Sequence, residues 1–110
     1  RLRALVAFHV DFAVRSEDVI RVQDRDMASL TPGDRHEVRR MQREYVELWV
    51  GVLGAVRPED SPARSRVRAH ATFGLINSTP HSARAAGVAP DRGEVRGILA
   101  AMALAALRAA

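Results

Sequence analysis

An all-α fold is what this sequence predicts, and three observations carry that reading. Ala is the commonest residue, 19 of 110, and β-branched runs are few, a composition that favours helix. Apolar residues recur at steps of three and four along most of the chain, the period of one buried helical face. Pro and Gly separate the periodic stretches, where helix starts and stops are expected. A length of 110 residues corresponds to one domain over residues 1–110, with enough chain for a core that needs no staples.

Five helices are expected. In the first, Leu2, Leu5, His9 and Phe12 share a face, with Val6, Val10 and Ala13 beside them. Ser16 is then a candidate N-cap, followed by Glu17 and Asp18 at the positive end of the helix dipole. Ile20, Gln23, Met27 and Leu30 form the stripe of that second helix. Thr31 precedes Pro32, whose missing N–H is harmless at the first helical position. The third helix carries Val38, Met41, Tyr45, Leu48 and Val52 in one row and Val46, Val50 and Leu53 in another, with Trp49 extending the stripe. Such a wide apolar arc predicts a central helix that ends near Arg57-Pro58. Ser61-Pro62 restarts the chain. Residues 63–78 are then nearly apolar all round beyond Arg68, which predicts burial on every side. Thr79-Pro80 should stop this fourth helix, because a residue before Pro disfavours the helical region, and a loop should follow over 82–90. Asp91 caps the fifth helix, with Val95, Ile98, Leu99, Met102, Ala103, Ala106 and Leu107 on one side and Gly97, Ala100, Ala101 and Ala105 on the other.

Composition narrows the chemistry. All 17 basic residues are Arg and there is no Lys, a bias that matches a GC-rich coding sequence. The net charge of +4 is mild and interleaved with acids, unlike a nucleic-acid footprint. Without Cys there is no disulfide, thiolate nucleophile or thiolate-bound metal. No apolar run is long enough to span a membrane, no signal-peptide core opens the chain, and a cytoplasmic location is the default expectation. His9, His36, His70 and His81 do not pair at metal-ligand spacing within a helix. No nucleophile elbow or phosphate loop occurs. No catalytic residue, metal or cofactor is therefore expected, and the chain reads as a non-enzyme.

The last two helices carry more apolar surface than one copy of five helices can cover. A twofold homodimer resolves this by joining them to their copies as a four-helix bundle. Ala71, Gly74 and Ser78 with Leu75 form one candidate close-contact row, and Gly97, Ala101 and Ala105 with Leu104 the other. The competing reading is that these small residues fill a monomeric core or reflect coding bias.

Several polar or amphipathic residues interrupt the apolar stripes. His9 is either a core histidine with satisfied nitrogens or a polar anchor in an apolar cavity, and Gln23 sits the same way. His70, Phe73 and Asn77 share a face, where Asn77 needs partners from a ligand or across a dimer. Tyr45 and Trp49, one turn apart, fit either core or pocket wall. Met27 and Met41 either adapt to ligands or fill gaps. The candidate ligand-lining set is His9, Phe12, Gln23, Met27, Met41, Tyr45, Trp49, Phe73 and Asn77.

The segments VRRMQREYVELWVGVL, RVRAHATFGLINSTPHS and VRGILAAMALAAL, with the opening LRALVAFHVDFAVRSEDVIRVQDRDMASL, together resemble the C-terminal ligand-binding and dimerisation domain of TetR-family transcriptional regulators. The resemblance spans essentially the whole chain and rests on the order, length and character of the helices. It implies a homodimeric domain that binds a hydrophobic small molecule and thereby alters operator binding by an N-terminal helix-turn-helix. That DNA-binding part is expected upstream of Arg1, so DNA is a partner only through it and no membrane is involved. Phe8 and Val10 are expected to be exposed where the connecting helix packs. The alternatives are a helical homodimeric interaction module with no small-molecule effector, or a lipid- or drug-sequestering protein that never acts on DNA.

Overall fold

In the computed structural model, residues 1–15, 30–85 and 91–109 are described, the side chains of 81–85 excepted. They form four helices, α1 (Leu2–Arg15), α2 (Pro32–Val56), α3 (Pro62–Ala85) and α4 (Arg92–Arg108), and no strand among the described residues. The expected second helix falls on residues 16–29, outside the described set, and Leu30 at the end of its stripe is a bend residue.

The caps follow the sequence signals. Thr31 Oγ1 accepts from the Asp34 N–H at 3.1 Å, with Pro32 opening α2. Ser61 Oγ accepts from the Arg64 N–H at 3.2 Å, and Asp91 Oδ1 from the Glu94 N–H at 3.0 Å. Each side chain satisfies an amide that the first helical turn leaves open.

One core joins all four helices. It comprises Leu2, Val6, Val10, Ala13 and Val14 of α1, Trp49, Val52 and Leu53 of α2, Ala69 and Ile76 of α3, and Leu99, Ala103 and Leu107 of α4. Helix α3 packs against each of the other three, and α1 against α4, α3 and α2. Only the C-terminal half of α2 is deeply buried, and Met41 and Leu48 of its expected core row are each 52% exposed. The wide arc of α2 thus overstates its centrality: α3 takes the central place. Val10, expected at the surface, is buried, whereas Phe8 is exposed as expected.

Two further expectations are corrected. Helix α3 does not stop at Thr79-Pro80 but runs through Pro80 to Ala85, so 82–85 are helical and only 86–90 of the expected loop remain, outside the described residues. Proline removes one backbone donor and crowds the preceding turn. Around it Ser78 Oγ donates to the Gly74 carbonyl and Thr79 Oγ1 to the Leu75 carbonyl, which supplies side-chain bonds to the turn that Pro80 disturbs. Pro80 is itself buried, and its packing outweighs the local preference to break. Nor is α3 buried on every side: Ser65, Ala69, Thr72, Ile76 and Pro80 face inward, while Val67, Ala71, Gly74 and Ser78 are exposed.

The turn between α2 and α3 is tied to the end of α4. Asp60, with a side chain 5% exposed, accepts from Arg68 Nε at 2.8 Å and Arg64 Nε at 3.2 Å. Burial pushes its carboxyl up, but Arg68 and Arg64 outweigh that and hold it below the ordinary range. Arg68 also donates to the Ala109 carbonyl at 2.9 Å, and Arg57 to the Leu107 carbonyl at 3.5 Å. These guanidinium groups satisfy carbonyls that a helix C-terminus leaves open. The fold measures 40 × 38 × 18 Å, and among the described residues one face of α3 and α4 is exposed.

Candidate functional site

Helices α1, α2 and α3 converge on a cluster that is polar at its centre and aromatic around it. His9 lies on the inward stripe of α1, Tyr45 and Trp49 are one turn apart on α2, and Phe73 and Asn77 are one turn apart on α3, so each helix places its contribution by the four-residue period. His9 Nε2 is 2.8 Å from Asn77 Oδ1, and His9 Nδ1 is 2.8 Å from the Tyr45 hydroxyl. With an amide carbonyl facing it, Nε2 donates, so Nδ1 accepts from the Tyr45 O–H. Both imidazole nitrogens are satisfied, and burial favours the neutral ring.

The rings pack closely. His9 stacks with Phe73 at 4.9 Å and with Tyr45 at 5.7 Å, and Tyr45 and Phe73 lie within 24° of parallel. Trp49 stands nearly perpendicular to Phe73 at 5.0 Å and to His9 at 5.9 Å. Edge-on and offset geometries of this kind suit the ring quadrupoles. Trp49 is 0% exposed, and its indole N–H lies against the Tyr45 hydroxyl. Burial raises the Tyr45 phenol above its ordinary pKa, opposed in part by hydrogen bonding from the Trp49 N–H.

Burial lowers the His9 pKa below 6.5, and the Asn77 hydrogen bond offsets part of that shift. The unfolded chain then binds the extra proton first as the medium is acidified. Stability should fall as pH drops below about 6.5 and level off below the folded-state pKa. Thermal melts between about pH 5 and 7 should show a shallower acid slope for His9→Gln, which lacks the titrating ring. Identical slopes for the two proteins would remove His9 from the titration.

Of the nine residues expected to line a ligand site, His9, Tyr45, Trp49, Phe73 and Asn77 meet. Phe12 is half-buried on α1 and takes no part in the ring contacts of this cluster. Met41 is exposed, and its place in the apolar row of α2 does not bring it to the cluster. Gln23 and Met27 lie outside the described residues. The sequence reading missed the continuous Tyr45–His9–Asn77 chain. Its links join residues 36 and 68 positions apart, and helical periodicity carries no signal over such separations. Among the described residues no group of three or more His, Asp or Glu side chains is placed to hold a metal ion, and no helix is long and apolar enough to cross a membrane.

The opposite face of α3 continues into α4. Val67 is 69%, Ile98 54% and Met102 51% exposed, and Ala71, Gly74, Ser78, Gly97, Ala101 and Ala105 are exposed between them, while Leu75 and Leu104 are half-buried at the margin. A shallow groove of about 260 Å³ between the two helices is lined by Val67, Ala71, Leu75 and Ala106. A second groove, of about 370 Å³ between α2 and α3, has Arg39, Arg43, Arg66 and His70 along it, and His70 meets Phe73 edge-on at 6.0 Å.

A family model described as tetracyclin repressor-like, C-terminal domain matches residues 1–107. No curated protein matches the sequence.

Proposed function

Because the chain belongs to the tetracyclin repressor-like C-terminal domain family, we propose that it is the effector-sensing and dimerisation domain of a transcriptional regulator. A hydrophobic small molecule binds at the cluster of His9, Tyr45, Trp49, Phe73 and Asn77, and two copies pair through the exposed faces of α3 and α4. DNA contact falls to a helix-turn-helix outside this chain.

The observation that supports this reading best is the two-sidedness of α3. Phe73 and Asn77 reach the cluster from one side of the helix, while Ala71, Gly74 and Ser78 form the uncovered row on the other. A ligand that displaces α3 at the cluster must also displace the row that meets the second copy. Packed helices shift between discrete arrangements rather than deforming continuously. The coupling is reciprocal, so a ligand that prefers one dimer geometry is itself bound more tightly in it.

A thermal-shift screen with apolar metabolites checks the sensing half. An effector at about 100 times its Kd adds roughly 2.7 kcal/mol, or roughly 10 °C in Tm for a domain of this size. His9→Leu should weaken that effector while preserving helical content, because it removes the centre of the Tyr45–His9–Asn77 chain. The rival is a helical homodimer with no effector, and the fully satisfied imidazole favours it. That reading predicts no Tm shift from any apolar compound, and unchanged affinity in His9→Leu would reduce His9 to a core residue.

A further inference from the structure

Outside the His9 cluster, the groove of about 370 Å³ between α2 and α3 carries Arg39 and Arg43 from one helix and Arg66 and His70 from the other. Each pair is spaced by four residues, so one turn of each helix lines the groove. Glu47 is the one carboxylate among the described lining residues, and it accepts from Arg66 Nε at 3.2 Å. Arg39 and Arg43 pair with no carboxylate among the described residues. Their neighbour Arg40, by contrast, is bonded to both Glu37 and Glu44, and Asp60 alone engages Arg57, Arg64 and Arg68. We propose that this groove binds a small phosphate monoester, its dianionic head held by Arg39 and Arg43 and its apolar body resting on Val46. The site is separate from the effector-sensing cluster and does not depend on that reading.

Charge selects the head. Three arginines against one glutamate leave the lining at +2 before His70 is counted. A phosphate monoester carries about −1.5 to −2 at neutral pH, with three acceptor oxygens. A carboxylate or a sulfate ester, each with a single charge, matches the groove less well. Guanidinium forks bind phosphate through paired N–H···O bonds, which adds geometry to the charge. Two like charges one turn apart on a helix also repel, and a dianion between Arg39 and Arg43 offsets a repulsion that no carboxylate of the described chain relieves. Glu47 opposes the anion little, because Arg66 already engages it. The body follows from the rest of the lining. Val46 is half-buried there, and His70 is set edge-on against Phe73 at 6.0 Å, which anchors the α3 wall. A volume of about 370 Å³ is at the small end for ligand sites, so the body is small.

The test titrates phenyl phosphate, phenyl sulfate and inorganic phosphate into the chain by calorimetry, at low ionic strength and about pH 8, where the phosphates are dianions. Phenyl phosphate should bind with a Kd of about 1 mM or below, and at least about threefold more tightly than the sulfate, which has one charge fewer, or the bare ion, which has no apolar body. The Nε–H signals of Arg39 and Arg43 should shift in nuclear magnetic resonance spectra of the unmodified chain. Arg39→Gln with Arg43→Gln should weaken phenyl phosphate about tenfold or more. Arg3→Gln with Arg92→Gln removes the same charge at exposed positions outside the groove and should leave its Kd within about twofold. Both groove arginines are exposed, so circular dichroism should show helical content unchanged. Equal binding of the sulfate overturns the dianionic head, and equal binding of inorganic phosphate overturns the apolar body. Binding that survives Arg39→Gln with Arg43→Gln, or that falls equally in both double variants, overturns the groove as the site, as does no binding up to about 10 mM. The effector-sensing reading is tested separately, by the thermal screen at the His9 cluster.

Discussion

Trp49→Ala should destabilise the domain by about 3–5 kcal/mol, the range for removing a large aromatic ring from a core. The ring is 0% exposed and meets His9, Tyr45 and Phe73, so its removal leaves a void that three helices border. A domain of this length has only about 5–15 kcal/mol in total, so the variant should be partly unfolded at 37 °C or nearly so. Urea denaturation followed by far-ultraviolet circular dichroism measures the effect, at fixed protein concentration because a dimer's midpoint depends on it. Met41→Ala is the control: that side chain is half in solvent, and its truncation should change stability by less than about 0.5 kcal/mol. A loss of under about 1 kcal/mol for Trp49→Ala would mean that the cluster does not hold the three helices together.

The second large effect is expected at the seam. Gly74→Arg or Ala101→Arg should turn a dimer into a monomer at micromolar concentration without reducing helical content. A Cβ added at Gly74 meets nothing within 4 Å and Ala101 is exposed, so neither arginine is obstructed within one chain. Replacing Gly within a helix is even favourable by roughly 1 kcal/mol. In a close helix–helix contact the same side chain has no room, and its charge loses solvent without gaining a partner, which costs several kcal/mol. Retention of dimer mass by both variants would move the interface elsewhere.

How far the sequence revealed this molecule depends on the range of the interaction concerned. Starts at Thr31, Ser61 and Asp91 were legible because a cap and its amide lie three residues apart. The exposed rows of α3 and α4 were legible because small residues recur at helical spacing. The continuation of α3 through Pro80 was not, since local preference forbids it and only the burial of that turn permits it. Met41 and Leu48 were misplaced for a related reason: their apolar character fits the row on α2, but only the C-terminal half of that helix finds partners deep in the core. At the cluster, each polar residue was conspicuous against its own apolar stripe. Their mutual hydrogen bonds arise from how three helices meet, which no single stripe encodes.

Sedimentation equilibrium of the unmodified chain at micromolar concentration tests the shared face of α3 and α4 most directly. A species of twice the 12.1 kDa chain mass, dissociated by Gly74→Arg, is the result expected. A stable species of 12.1 kDa across that range would show that one copy tolerates its apolar rows in water, and the pairing of α3 and α4 with a second copy would have to be abandoned.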